Sequence, residues 1–279
     1  MISRYAIHDP RSPDRAATRG QCALGIMIKA PRVGTSKTRL APPLTLAEAA
    51  GLSVCFLRDT AANIAEAAAS SVASTDGVAV YTPVGAEEAF DDLLPENFRL
   101  LAQRGDSFGE RLFHAAEDFA RLGYESFCLI DSDSPTLPRA ALVAAVEILS
   151  RPGDRMVLGP ADDGGYYVIG LKHAHLRVFQ EIAWSTEAVF AQTVERAREI
   201  DLQVEPLPAW YDVDDGATLA RLCQELFGAK RKMGAATNGV KGYAAPHTRA
   251  FLADLLEREG HTRIWPEGAA TLLPAETAL

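Results

Sequence analysis

The chain has 279 residues, 48% of them hydrophobic and 23% charged, which suits an ordinary globular protein built on one large domain. Its formal net charge of −9 excludes a general nucleic-acid binder, whose electrostatic footprint is basic. No stretch reaches the roughly 18 apolar residues a membrane span needs, and Cys22, Cys55, Cys128 and Cys223 lack the spacing of a disulfide framework or zinc site, so the cytoplasm is the expected compartment.

Residues 1–22 carry Arg4, Arg11, Arg15 and Arg19 but no apolar run of signal-peptide length, and they read as a mobile tail or a start-site artefact. A first strand is expected at Ala23–Ile28. Thr45 and Glu48 have capping-box spacing and open a helix from about Leu46 to Ala69. Gly77–Thr82 is a strand, Glu87–Glu96 a solvated helix face, and Arg99–Ala102 a short strand. Ser107 and Glu110 form a second capping box before a helix to about Leu122. Ser126–Ile130 is a buried strand, followed by a helix with Pro138 in its first turn. Strands follow at Arg155–Gly159 and Tyr166–Leu171, then a helix at Thr186–Arg198, a strand at Gln203–Leu207 and a helix from about Ala217 to Phe227. Strands alternating with helices in this way imply a mostly parallel sheet over residues 23–228. Residues 229–279 read as a basic, Gly- and Ala-rich linker and a C-terminal helical extension, His247–Glu259, suited to a dimer arm, a lid over an acceptor site or a partner-docking helix.

Four segments carry chemistry. In 129–137, LIDSDSPTL, Asp131 and Asp133 stand where the buried strand leaves the core. Open α/β sheets bind ligands beyond the carboxyl ends of their strands, and two carboxylates there suit a hard divalent cation, Mg²⁺ or Mn²⁺, that brings phosphate with it; Asp and Ser before a proline also suit a plain turn. The loop after the first strand holds Lys29, Arg32, Lys37 and Arg39 and no acid, and Gly34, Thr35 and Ser36 would let phosphate approach the backbone. It is not a Walker A motif. In 157–171 the sequence reads strand, turn, strand, with Asp162 and Asp163 before Gly164 and Gly165. Asp212, Asp214 and Asp215 precede a helix, where Asp214 or Asp215 would serve as N-cap and Asp212 would not. Trp184, Ser185 and Thr186 form either a helix cap or a surface on which a ligand stacks.

The ordered set KAPRVGTSKTRLAPPL, QRGDSFGERL, LIDSDSPTL, GPADDGGYYVIGL, WST and YDVDDGATL resembles a bacterial family of uncharacterised glycosyltransferase-like proteins with the nucleotide-diphospho-sugar transferase (GT-A) fold. The SKTRLAPPL loop is also similar to that of 2-phospholactate guanylyltransferase. The resemblance implies a three-layer α/β/α sandwich around a mixed sheet. It implies that Asp133 binds metal with Asp212 or Asp214, that Lys29, Gly34, Lys37 and Arg39 bind phosphate, and that Gly164, Gly165, Trp184, Ser185, Thr186 and Arg104 face the acceptor. Asp131 stands where the family usually has a small residue, so it either adds a ligand or displaces one.

Such a site needs a cation on the phosphates and, for an inverting glycosyl transfer, a carboxylate base, for which Asp163 and Asp162 are the candidates. The expectation is a metal-dependent transferase taking a nucleotide or nucleotide sugar and a small acceptor, with glycosyl transfer ahead of nucleotidyl transfer. A nucleotide-binding protein without catalysis is the third reading.

Overall fold

Alternating apolar runs and amphipathic stretches become strands and helices in the order their pattern implies. The computed structural model describes residues 4–228 and 240–266. The sheet strands are β1 (Ala6–Ile7), β2 (Cys22–Lys29), β3 (Thr75–Thr82), β4 (Arg99–Ala102), β5 (Ser126–Ile130), β6 (Arg155–Pro160), β7 (Tyr166–Leu171) and β8 (Gln203–Pro206). They form one eight-stranded sheet, in the order β1-β4-β3-β2-β5-β7-β6-β8. Every neighbouring pair is parallel except those of β7, which runs antiparallel to both β5 and β6.

After a short first helix, α1 (Arg15–Thr18), longer helices cover both faces. A first cluster packs α2 (Leu46–Ser70), α4 (Arg139–Ser150), α6 (Gly216–Phe227) and α7 (Pro246–Glu259) on Leu24, Ile26, Ile28 and Ile130. A second packs α3 (Phe108–Leu122) and α5 (Val189–Arg198) on Ala23, Val78, Val80 and Leu129. Alternate residues of one strand therefore feed opposite cores, which is why these strands read as unbroken apolar runs. This is the expected three-layer α/β/α sandwich. Both expected capping boxes form, with Glu48 N donating to Thr45 Oγ1 and Glu110 N to Ser107 Oγ at 3.2 Å each.

The crossovers place the site. From β2 the chain moves outward through β3 and β4, then returns to lay β5 on the other side of β2. The loops after β2 and β5 thus part at a switch point, where a crevice opens. Because β7 is reversed, the β6–β7 turn lies at the same end of the sheet. Residues 207–215 then cross back along that end, with Asp162 N donating to Trp210 O and Val213 N to Asp133 O, each at 2.9 Å.

Three expectations are corrected. The N-terminal segment is not a free tail from residue 4 onward: Tyr5 is buried and donates to Leu94 O at 2.8 Å, and β1 extends the sheet beside β4. An open strand edge offers unpaired backbone groups, and His8 N takes up one of them, donating to Leu100 O at 2.8 Å. The 87–96 segment is a short 3-10 turn, Glu87–Phe90, followed by irregular chain, because Phe90 and Leu94 are pulled into the core and Pro95 stops any helix. The helix expected from Thr186 begins at Val189, because Thr186 is held in a turn, its Oγ1 donating to Ala183 O at 2.7 Å and accepting from Ala188 N at 3.3 Å.

Of the expected linker, residues 229–239 lie outside the described residues. The described part of the C-terminal extension packs on the outside of α2. There Asp59 accepts backbone N–H bonds from His247 at 3.0 Å and Thr248 at 2.7 Å, holding the start of α7. α8 (His261–Ile264) follows, with Trp265 buried. Among the described residues no helix is long and apolar enough to cross a membrane.

Candidate active site

Two adjoining cavities open at the carboxyl end of the sheet. The first, about 300 Å³, lies under the loop after β2 and is lined by Lys29, Thr35, Ser36, Lys37, Thr38 and Arg39, with Ser53 of α2 and Ser132. The second, about 530 Å³, has Asp131, Asp133, Asp163, Asp212 and Asp214 around it, and Phe108, Leu112, Trp184 and Val189 among its apolar walls. Arg39, Asp133 and Asp214 border both. The first cavity is basic and rich in hydroxyls; the second is acidic and partly aromatic.

Between them stands Lys37, with only 8% of its side chain exposed. Its Nζ lies 2.8 Å from Asp133 Oδ1 and 2.7 Å from Asp214 Oδ1, and donates to Val213 O at 2.8 Å. Burial alone would lower the pKa of this ammonium, but the two carboxylates reverse that and leave it raised. Arg39 adds a looser contact, 3.7 Å from Asp214 Oδ2. Lys37 is thus committed to the acids, where the sequence suggested phosphate. Arg32 borders neither cavity, and Gly34 serves a turn at φ +79° away from the cavity walls.

The acids differ in state. Asp131 Oδ2 accepts from Ser134 Oγ at 2.8 Å, whereas Oδ1 is shielded from solvent with no partner. Burial, then Asp133, drives its pKa well above the ordinary carboxylate value. Asp212 is pushed up to about 6, first by burial and then by Asp163 and Asp214. These are signs of an acidic cluster short of positive charge. Among the described residues no three or more His, Cys, Asp or Glu side chains converge to hold a metal. Mg²⁺, however, ordinarily binds through one or two carboxylates plus substrate phosphates rather than an all-protein cage. Hard oxygen donors from two separate segments, Asp133 and Asp214, and the unsatisfied Asp131 Oδ1 fit that mode.

Asp163 lines the second cavity and its Oδ1 accepts from Gly165 N at 2.8 Å. Asp162 turns away, with Arg221 2.6 Å from its Oδ2. Asp215 is the N-cap of α6, accepting from Thr218 N at 2.9 Å, which frees Asp214 for the site. Gly165, Trp184, Ser185 and Thr186 line the second cavity; Gly164 stands behind it. Arg104 does not reach either cavity: its guanidinium binds Asp118 through two bonds of 2.7 Å and Glu117 through one of 2.8 Å. Sequence reasoning missed Phe108, Leu112, Tyr166 and Glu187 in the second cavity and Ser53 in the first. Only Phe108 left a trace, as an aromatic at the first position of a capped helix. It remains 50% exposed and meets Trp184 edge-on at 5.2 Å. Gly109 permits that contact, since a Cβ there would lie 2.6 Å from Trp184 Nε1.

The chain has relatives in sequence and in fold. Residues 62–186 match the model of a family described as "Uncharacterized protein conserved in bacteria (DUF2064)". The crystal structure of a "putative nucleotide-diphospho-sugar transferase" from Desulfovibrio desulfuricans G20 is 30% identical, covering 87% of this chain and 99% of that one, with a TM-score of 0.69. CMP:2-keto-3-deoxy-manno-octonic acid synthetase complexed with CTP is 10% identical over 72% of this chain and 96% of its own, with a TM-score of 0.46. A 4-diphosphocytidyl-2C-methyl-D-erythritol synthase from Anaerococcus prevotii DSM 20548 is 10% identical over 71% and 95%, at 0.45. No curated protein matches the chain. With 30% identity to the Desulfovibrio protein over nearly all of that chain, this chain belongs to the DUF2064 family of bacterial proteins, on a nucleotide-diphospho-sugar transferase-like fold.

Proposed function

We propose that the protein is a metal-dependent transferase that moves a glycosyl group from a nucleotide sugar to a small hydroxyl-bearing acceptor. The observation that carries this reading is the division of the site into a basic cavity and an acidic, aromatic one with Asp133 and Asp214 between them. Lys29, Arg39, Thr35 and Ser36 bind the diphosphate through charge-assisted and hydroxyl hydrogen bonds. Asp133 and Asp214 would hold a Mg²⁺ or Mn²⁺ ion, which would supply positive charge to the leaving diphosphate.

In the second cavity an acceptor lies over Trp184 and Phe108. Its hydroxyl oxygen forms the bond to the anomeric carbon as the bond to the diphosphate breaks, and Asp163 takes the hydroxyl proton. Nucleotidyl transfer to a phosphorylated acceptor is less favoured. It would set a phosphate among six carboxylates, with Arg39 as the one basic side chain lining that cavity among the described residues. The dense basic loop that recommended it is also thinner than its sequence, because Lys37 is bound to acids and Arg32 stands aside.

The test is thermal stability of the protein with Mg²⁺ or Mn²⁺ and a panel of nucleotide sugars, nucleoside diphosphates and nucleoside triphosphates. A ligand at about a hundred times its dissociation constant stabilises the folded state by about 2.7 kcal/mol. Metal-dependent stabilisation by one nucleotide sugar and its diphosphate is the expected result. Preference for a triphosphate would replace glycosyl with nucleotidyl transfer, and no shift with any of them would leave the reading without a donor.

A further inference from the structure

Lys37 is built into an unusual place. Its three ammonium protons are matched by three acceptors, Asp133 Oδ1, Asp214 Oδ1 and Val213 O, at 2.7 to 2.8 Å. None remains for a phosphate oxygen. The two carboxylates come from the loop after β5 and the segment crossing back after β8, and the ammonium joins them. The carboxylates themselves are 39% and 36% exposed, so both remain open to the cleft on sides that Lys37 does not cover. A divalent ion on this pair would compete with Lys37 for the same two oxygens.

We propose that Lys37 is the resident cation of the metal seat, and that it leaves Asp133 and Asp214 only when a divalent ion arrives together with the phosphates of the nucleotide. This rests on the metal-dependent reading above. Displaced without phosphate present, the ammonium would give up three short contacts and find no anion in the first cavity besides the two carboxylates it had left. With phosphate in that cavity, which Lys37 also lines, the side chain swings on its flexible stem from carboxylate to phosphate oxygen. Each anion then keeps a cation throughout the exchange. Metal and nucleotide therefore bind as a coupled pair, each tightening the other. The binding-competent arrangement of the acids is also maintained in the empty protein, since two carboxylates that close would otherwise repel.

The experiment titrates Mn²⁺ alone, read by the electron paramagnetic resonance of the free ion, into the wild-type protein and into Lys37→Met, Lys37→Gln and Lys37→Arg. Wild type and Lys37→Arg, which keep a cation, are expected to bind Mn²⁺ weakly. Lys37→Met is expected to bind it at least about ten-fold more tightly. Lys37→Gln, whose amide still donates a hydrogen bond to the pair, carries the same expectation and serves if the methionine variant does not fold. Equal or weaker Mn²⁺ binding by both neutral variants overturns the proposal. If the wild-type protein is meanwhile stabilised by Mn²⁺ with a nucleoside diphosphate, the transferase reading survives that failure. If no protein binds Mn²⁺ with or without the diphosphate, both fall.

Discussion

Asp162 and Asp163 are adjacent in the chain and opposite in surroundings. Asp162 is tied to Arg221, whose guanidinium lies 3.8 Å above the Tyr211 ring, outside the cleft. Asp163 faces the second cavity. Asp162→Asn is accordingly expected to change stability by less than about 1 kcal/mol, as for other exposed ion pairs, and to leave metal-dependent nucleotide binding intact. Asp133→Asn is expected to abolish that binding in the same thermal-shift assay. The turn that aims Asp163 depends on Gly164, at φ +90°, where a Cβ would lie 2.3 Å from Glu187 O. Gly164→Ala should cost about 2 kcal/mol or more in urea unfolding, since strain and clash coincide. At this scale the sequence was informative where a residue's position along a strand decides its role. Asp131, Asp133 and Asp163 announced themselves at strand ends or in a turn. It was silent on partner choice, because Lys37 meets Asp214 from 177 positions away and Arg104, in the loop before α3, meets Asp118 from 14 positions away, beyond any local pattern.

Elements were legible wherever a start signal met a periodic run. The Thr45 and Ser107 boxes fixed the starts of α2 and α3 because each side chain bonds a backbone N–H that the helix leaves unpaired. Segments held by tertiary anchors were not legible: the 87–96 turn and β1 depend on Phe90, Leu94 and Tyr5 entering the core, and no periodicity records that. The C-terminal helix shows the same dependence on distant partners. Its first two amide donors end on Asp59 of α2, buried with it. Asp59→Ala would leave both N–H groups without an acceptor, at about 1–3 kcal/mol each. Hydrogen exchange should show α7 losing protection before β2 and β5, and loss of protection everywhere at once would contradict a helix held chiefly at its start.

Across the whole molecule, the two ends of the sheet differ in what they hold. At the end opposite the cleft, His8 Nε2 lies 3.1 Å from Tyr124 OH, which donates to Asp76 Oδ2 at 2.9 Å. Burial first, and then Arg99, lowers the His8 pKa to about 4, against a smaller upward pull from Asp76. An unfolded histidine protonates near pH 6.5, so between that value and about 4 the unfolded chain holds more protons and stability falls with pH, flattening below. The contribution, discounted for partial exposure, is about 2 kcal/mol. His8→Asn should remove this component from the pH dependence of urea unfolding while leaving the cleft's ligands bound as before. The architecture itself was readable from the alternation of strands and helices, but the single reversed strand, β7, was visible only as a glycine turn between two apolar runs. Its reversal brings residues 161–165 to the same end of the sheet as the crossing segment that carries Asp214 to Lys37. A nucleotide seated there would touch chain from Lys29 to Asp214 at once, and so would work as a reversible staple across most of the polypeptide. Proteolysis that proceeds through global unfolding should therefore slow when the cleft is filled, even at cut sites far from it.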